Sequence, residues 1–223
     1  FLLVILSIML SVELFGTNPA KRPTNILILS DKINHYQLEP YMEMLEDPTG
    51  KLTVEDVARL PYSVRFTPPA EKSRNLGFTS SAVWIRCHVR NEARESKRWV
   101  AVVGDARIEY LDVYMDPLSD GMLHRHSGRL MPFASREVPH NKFVINIPLS
   151  TKAEATLLFR FETGTAMNLS ASIWSFEAFA YREFDMRLIL GMFVGALLVM
   201  MLYHLFVYFS LGDKSCLYFV FFI

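Results

Sequence analysis

The stretch AVWIRCHVRN, residues 82–91, alternates without a break. Val83, Ile85, Cys87 and Val89 fall on one side of an extended chain, and Trp84, Arg86, His88 and Arg90 on the other. Period two over this length predicts a strand whose first set of side chains faces a core. Similar segments recur outward from it: WVAVVG (99–104), IEYLDVYMD (108–116), KFVINIPL (142–149), ATLLFRFET (155–163) and LSASIWSF (169–176). Gly, Pro, Asn and Asp separate them at short intervals. Such spacing predicts a mainly β fold, an antiparallel β-sandwich rather than a parallel sheet.

Upstream, TNILILSDKINHY (24–36) has the short apolar run and polar borders of a first strand. LEPYMEMLEDPTG (38–50) and KLTVEDVARLP (51–61) each read as one or two helical turns, the second with Thr53 as a cap ahead of Glu55 and Asp56. A Pro-rich polar loop, 65–81, then leads into the alternating series.

The two faces divide the chemistry. In 108–116, Leu111, Val113 and Met115 oppose Tyr110, Asp112 and Tyr114, while 169–176 puts Trp174 with Ser170 and Ser172. Aromatic rings among hydrogen-bonding groups suit a sugar-like ligand, because a ring covers C–H surface while Arg, Asp and Ser meet hydroxyls. The ligand-binding candidates are therefore Trp84, Arg86, Tyr110, Asp112 and Trp174. The alternative is a face that is solvated or roofed by the two short helices, with Trp84 filling a gap.

Charge partitions the chain sharply. Of its 46 formally charged side chains, only Glu13, Asp213 and Lys214 lie outside residues 21–187. The run Leu188–Phe209 holds 22 residues without Asp, Glu, Lys or Arg. At 1.5 Å per residue this is roughly 33 Å, enough for the ~30 Å hydrocarbon core. Residues 186–210 are thus expected to form a first transmembrane helix, 211–215 a cytoplasmic turn and 216–223 the start of a second helix. Its 8 residues span only about 12 Å, so the chain is expected to continue beyond Ile223.

Residues 1–20 begin FLLVILSIML and carry Gly16 and Ala20, as a secretory signal peptide does, an uncleaved anchor being the alternative. Either way, residues 21–180 are expected outside the membrane as a single domain with its own core. Lys and Arg counts around the helix do not set its orientation, so the leader decides it. Cys87 and Cys216 fall on opposite sides of the bilayer, and no disulfide is expected. The exported part is nearly neutral, which gives no basis for nucleic acid as a partner.

Signatures of phosphate-binding loops, GxSxG nucleophiles, HExxH and paired CxxC motifs are absent. No cofactor and no metal are expected. HRH at 124–126 would place two imidazoles on one side of a strand, but no acidic or Cys partner stands at motif spacing, and Gly121 and Gly128 suggest a turn. A glycosidase would need Asp112 and Glu162 to converge across a cleft, which nothing in the sequence indicates. Within the apolar run, His204 is expected to face a helix interior as a neutral hydrogen-bonded imidazole, and Gly191 and Gly195 form GxxxG, which permits close helix approach.

The segments YMEMLEDPTGKLTVEDV, GFTSSAVWIRCHVRNE, YLDVYMD, GRLMPFASREVPHNKFVINIPL and GMFVGALLVMMLYHLFVYFSLGDKSCLYFVFFI occur in an order that resembles one family. It is that of the bacterial seven-transmembrane receptors with diverse intracellular signalling modules (7TMR-DISM), through the second type of extracellular sensory domain and the opening of the seven-helix region. The resemblance implies a jelly-roll-like sandwich similar to carbohydrate-binding modules. It also implies an output module such as a histidine kinase or diguanylate cyclase beyond this chain, so no enzyme activity is expected here. Trp84, Arg86 and Asn91 fall in its strand motif, Arg136 before NKFVINIPL, and Gly191, Gly195, Tyr203 and His204 on its first helix, in packing or transmission roles.

For this portion the resemblance implies ligand sensing at a bacterial inner membrane, with the sensory domain in the periplasm or outside the cell. The expected partners are a small-molecule ligand of the carbohydrate kind, the lipid bilayer, the other helices of the bundle and a second copy in a homodimer. The competing reading is a membrane-anchored carbohydrate-binding or adhesion module without signalling.

Overall fold

The computed structural model describes residues 26–68, 75–95, 97–116, 122–212 and 214–222. The expected leader at 1–20, Gly121 and part of the expected turn at 211–215 lie outside them. In chain order the strands are β1 (Leu27–Leu29), β2 (His35–Gln37), β3 (Met42–Asp47), β4 (Asn75–Phe78), β5 (Ala82–Asn91), β6 (Trp99–Val103), β7 (Tyr110–Asp116), β8 (Leu123–Ser127), β9 (Phe143–Ile147), β10 (Glu154–Glu162), β11 (Ala166–Asn168) and β12 (Ala171–Ser175). Three α-helices are described: α1 (Val54–Ala58), α2 (Phe176–Leu211) and α3 (Lys214–Phe222).

β5 is central because both its edges are taken. One edge pairs with β10; the other is shared by β3, antiparallel along Ala82–Cys87, and β1, parallel along Val89–Asn91. The large sheet continues from β10 through β7 to the edge strand β8, and a second sheet runs β2-β12-β6-β9. A short pair, β4 with β11, makes a third.

Val83, Ile85, Cys87 and Val89 face inward, as do Leu111, Val113 and Met115. They meet Trp99, Ala101, Phe143, Ile145 and Ile173 of the second sheet in one core. Alternation thus reported the buried face correctly, and the fold is a sandwich of mainly antiparallel sheets.

Two expectations need correction. Residues 42–47, taken as helical, are β3, whose Met42 enters the main core while Leu45 packs with Val54, Val57 and Trp84 on the opposite face. A strand buried on both faces loses its alternation, and apolar residues three apart then imitate a helix. The HRH segment is strand β8, with the turn displaced to Gly128 (φ +154°).

α1 forms where expected: Thr53 Oγ1 accepts from the Asp56 backbone N–H, and the Asp56 carboxylate accepts from that of Thr53. Asp47 anchors the preceding loop by accepting from the Thr49 and Leu52 backbone N–H groups.

The last strand runs into α2 with no linker. Ser175 caps the helix by accepting from the Ala178 N–H, and the Phe176 N–H donates to the Arg98 carbonyl at 2.8 Å. An N–H without an intrahelical partner is thus satisfied by the sandwich backbone. With 36 residues α2 is about 54 Å long. Its apolar part is long enough to cross a membrane, and its large side chains are mostly exposed rather than packed on protein. Gly212, at φ +70°, ends it in a left-handed cap. α3 packs back on α2, with the Phe219 ring 4.3 Å from that of His204.

Candidate functional site

The five expected ligand-binding residues do not share a surface. Trp84, Arg86, Tyr110 and Asp112 project from the outer face of the large sheet, and Trp174 from the outer face of the second, with the main core between them. Parity along a strand says which side chains face out, but not which of two sheets the strand joins.

Trp84 is 0% exposed, packed with Val54, Val57, Phe66 and Leu158 beneath α1. It is roofed, so its ring offers no face to a ligand. Arg86 is engaged as well: its guanidinium donates to Glu43 at 2.7 and 2.8 Å and to the Ser63 carbonyl, and lies over the Phe66 ring. A cleft of about 370 Å³ opens beside α1 over Arg86, His88 and Asp116. Burial, with help from the Arg86 charge, pushes the His88 imidazole below its usual pKa.

Further along the same sheet, Asp112 accepts from His124 Nε2 at 2.9 Å and His126 Nδ1 at 2.7 Å, both through Oδ1. Tyr114 stacks on His124 and Tyr110 on His126. Cross-strand register supplies the acidic partner that spacing along the chain did not reveal, since Asp112 lies opposite His126. Among the described residues these three could hold a metal, their ligand atoms lying within 4.8 Å of one another. Asp112 and Glu162 both pair with Arg160, at 3.7 and 2.8 Å, instead of flanking a cleft.

The second sheet carries a different arrangement, at the root of α2. Val100, Val102 and Val144 point outward and form a small core with Phe179 of the helix. Trp174 stacks on His35 with centroids 3.8 Å apart, lies under the Arg182 guanidinium at 4.9 Å, and donates from Nε1 to Ser172 Oγ. Glu183 accepts from His140 Nε2 at 2.9 Å and Lys142 Nζ at 3.2 Å. Arg136 braces the loop that presents His140 by donating to the His140 and Asn141 carbonyls, and its guanidinium lies over Phe143.

Between sheet and helix lies a cleft of about 190 Å³, walled by Gln37, Ser172 and Trp174 on one side and Arg182 and Glu183 on the other. Burial and the nearby Arg182 charge push the His35 pKa down, Glu39 opposing. Burial raises Glu183, but hydrogen bonds from His140 and Lys142 outweigh it and leave the carboxyl below its usual range. Of this cluster only Trp174 stood out in the sequence; His35, His140, Lys142, Arg182 and Glu183 did not. The signal available was the cluster of charges just before the apolar run.

In the membrane segment, Gly191 and Gly195 have open space where a Cβ would stand. Tyr203 packs edge-on against His204, whose Nδ1 is buried with no hydrogen-bond partner among the described residues.

A β-sandwich whose last strand continues into a helix long and apolar enough to cross a membrane marks a membrane protein with its folded domain beside the bilayer. Residues 39–175 match the model of the 7TMR-DISM extracellular 2 domain, and residues 186–223 that of the 7TM diverse intracellular signalling region. The chain belongs to the 7TMR-DISM family, as an extracellular sensory domain followed by the start of its seven-helix signalling region. No curated protein matches the chain.

Proposed function

We propose that this chain is the input portion of a transmembrane signalling receptor of a bacterial inner membrane, its sandwich lying in the periplasm or outside the cell. The ligand is a small polar molecule of the carbohydrate class, bound in the cleft at the root of α2. The observation that carries the reading is that one cleft has walls from two elements, Gln37, Ser172 and Trp174 from the sheet and Arg182 and Glu183 from the membrane helix.

A ligand touching both walls has a different affinity for each arrangement of helix against sheet, and shifts their populations by that difference and no more. The indole face of Trp174 is occupied by His35, so recognition falls to hydroxyl contacts with Ser172 and Gln37 and to the cations Lys142 and Arg182. α2 is helical from Phe176 onward, and a tilt of its first turns is therefore carried rigidly into the segment that bears Gly191, Gly195, Tyr203 and His204. Those residues meet the remaining helices of the bundle and, in a homodimer, a second copy.

The test is a titration of the chain in lipid nanodiscs with neutral, acidic and amino monosaccharides, read by tryptophan fluorescence. A saturable response that disappears in Ser172→Ala or Arg182→Met, both of which keep the Trp174 reporter, is expected. No saturable response to any sugar in the panel, or one that survives both substitutions, would sink the assignment of this cleft.

A further inference from the structure

We propose that Asp112, His124 and His126 form a binding site for a divalent transition-metal ion of the zinc or copper class on the outer face of the large sheet. The inference is independent of the cleft at the root of α2.

β8 is the edge strand, and its alternate residues His124 and His126 point the same way, toward the carboxylate presented by β7. Both imidazoles approach a single oxygen, Asp112 Oδ1, at 2.9 and 2.7 Å, and the three donor atoms lie within 4.8 Å of one another. The donors are borderline nitrogens and one carboxylate, which suits zinc, copper or nickel and not calcium or magnesium, whose sites are built from oxygens.

The site is held from behind. Asp112 is 8% exposed, whereas the imidazoles are partly open to solvent, so an ion can enter from the surface and find the carboxylate at the floor. The Tyr114 ring lies parallel to His124 at 4.5 Å and that of Tyr110 is stacked on His126 at 6.2 Å, which orients both ligands. Arg160 is the cation nearest Asp112 among the described residues. It approaches the other oxygen, Oδ2, at 3.7 Å, and its charge is matched by Glu162 at 2.8 Å. The Oδ1 side is thus left to the two imidazoles.

An ion about 2.0–2.1 Å from each donor in tetrahedral geometry sets the donors roughly 3.3 Å apart. The pairs now at 2.7 and 2.9 Å must therefore open by about half an ångström, and the two imidazole nitrogens, within 4.8 Å of one another, must come to the same spacing, through rotations of partly exposed side chains. Three protein ligands leave a fourth position for water or an exogenous group. Bound metal would cross-link the edge strand β8 to β7.

The experiment uses the tag-free chain in nanodiscs, stripped of metal, titrated with Zn²⁺ by calorimetry and with Co²⁺ by visible absorption. One ion per chain is expected, with Co²⁺ bands typical of four- or five-coordination and a rise in Tm with Zn²⁺. His124→Ala and His126→Ala should each weaken binding by at least the roughly 10–100-fold that loss of an outer-sphere partner alone costs. His88→Ala, on the same sheet face, should leave it unchanged. Both histidines are partly exposed, and near-ultraviolet circular dichroism verifies that the variants remain folded. Absence of saturable Zn²⁺ and Co²⁺ binding overturns the proposal, as does binding that both histidine substitutions leave intact.

Discussion

Replacing Glu183 by Gln tests whether one carboxylate ties the sandwich to the membrane helix. Glu183 Oε2 accepts from His140 Nε2 at 2.9 Å, and Oε1 from Lys142 Nζ at 3.2 Å. The Lys142 backbone N–H donates to His140 Nδ1 at 3.0 Å, so that nitrogen is unprotonated and the proton sits on Nε2, aimed at the carboxylate. Gln keeps the shape but loses the charge and one of the two accepting oxygens, so one of the two donors is left without its partner. Hydrogen bonds to charged groups contribute about 1.5–3 kcal/mol, and one is lost outright, so the substitution should cost about 1.5–3 kcal/mol. The Glu183 side chain is 19% exposed, shielded enough for the figure to stand.

For a domain of this size each kcal/mol lowers Tm by about 2–4 °C, which gives a fall of roughly 3–12 °C at neutral pH. The assay is thermal unfolding in nanodiscs, followed through the buried indoles of Trp84 and Trp99. The pH dependence supplies a second constraint. The folded pKa of Glu183 lies below its ordinary value of 4.5, so its stabilisation is fully present above that value and is lost as pH falls through the folded pKa. Wild type and Glu183→Gln should therefore converge in acid. An unchanged Tm at neutral pH, or a gap that persists in acid, would refute the reasoning.

Phe179→Ala should cost about 3–5 kcal/mol, because Phe179 is buried against Val100, Val102 and Val144; thermal unfolding indistinguishable from wild type would contradict that packing. His35 has a folded pKa below its ordinary 6.5, so its contribution is present above 6.5 and lost as pH falls through the lowered value. The Tm of the wild type should accordingly drop more steeply on acidification than that of His35→Gln, and parallel curves would count against it. Gly128→Ala should destabilise by about 3 kcal/mol or more, since a Cβ there would stand 2.0 Å from the Glu109 carbonyl oxygen; an expressed, folded variant with unchanged Tm would disprove the close approach.

Legibility varied with the range of the interaction. Thr53 as a helix cap was readable because its partner, Asp56, is three residues away. Val83, Ile85, Cys87 and Val89 were readable as core because a strand's faces alternate regardless of which sheet it enters. β3 was misread because both of its faces are covered, one by the main core and one by α1, and neither cover is visible from residues 38–50. The candidate site suffered more, since Trp84 and Trp174 look alike in the sequence, yet one is roofed and the other stands at the root of α2.

The amino-acid sequence alone determined the partition into a charged domain and an uncharged run from Leu188 to Phe209, the strand faces and the order of segments that marks the family. These are properties of composition, of short periods and of the order of segments along the chain. The tertiary structure decided that β8 lies beside β7 and brings Asp112 to His124 and His126, and that the loop at His140 reaches Glu183 on the helix. Such contacts join residues 12 to 43 positions apart. Their geometry follows from sheet order and register, which are settled by burying both inner faces at once and leave no periodic trace along the chain.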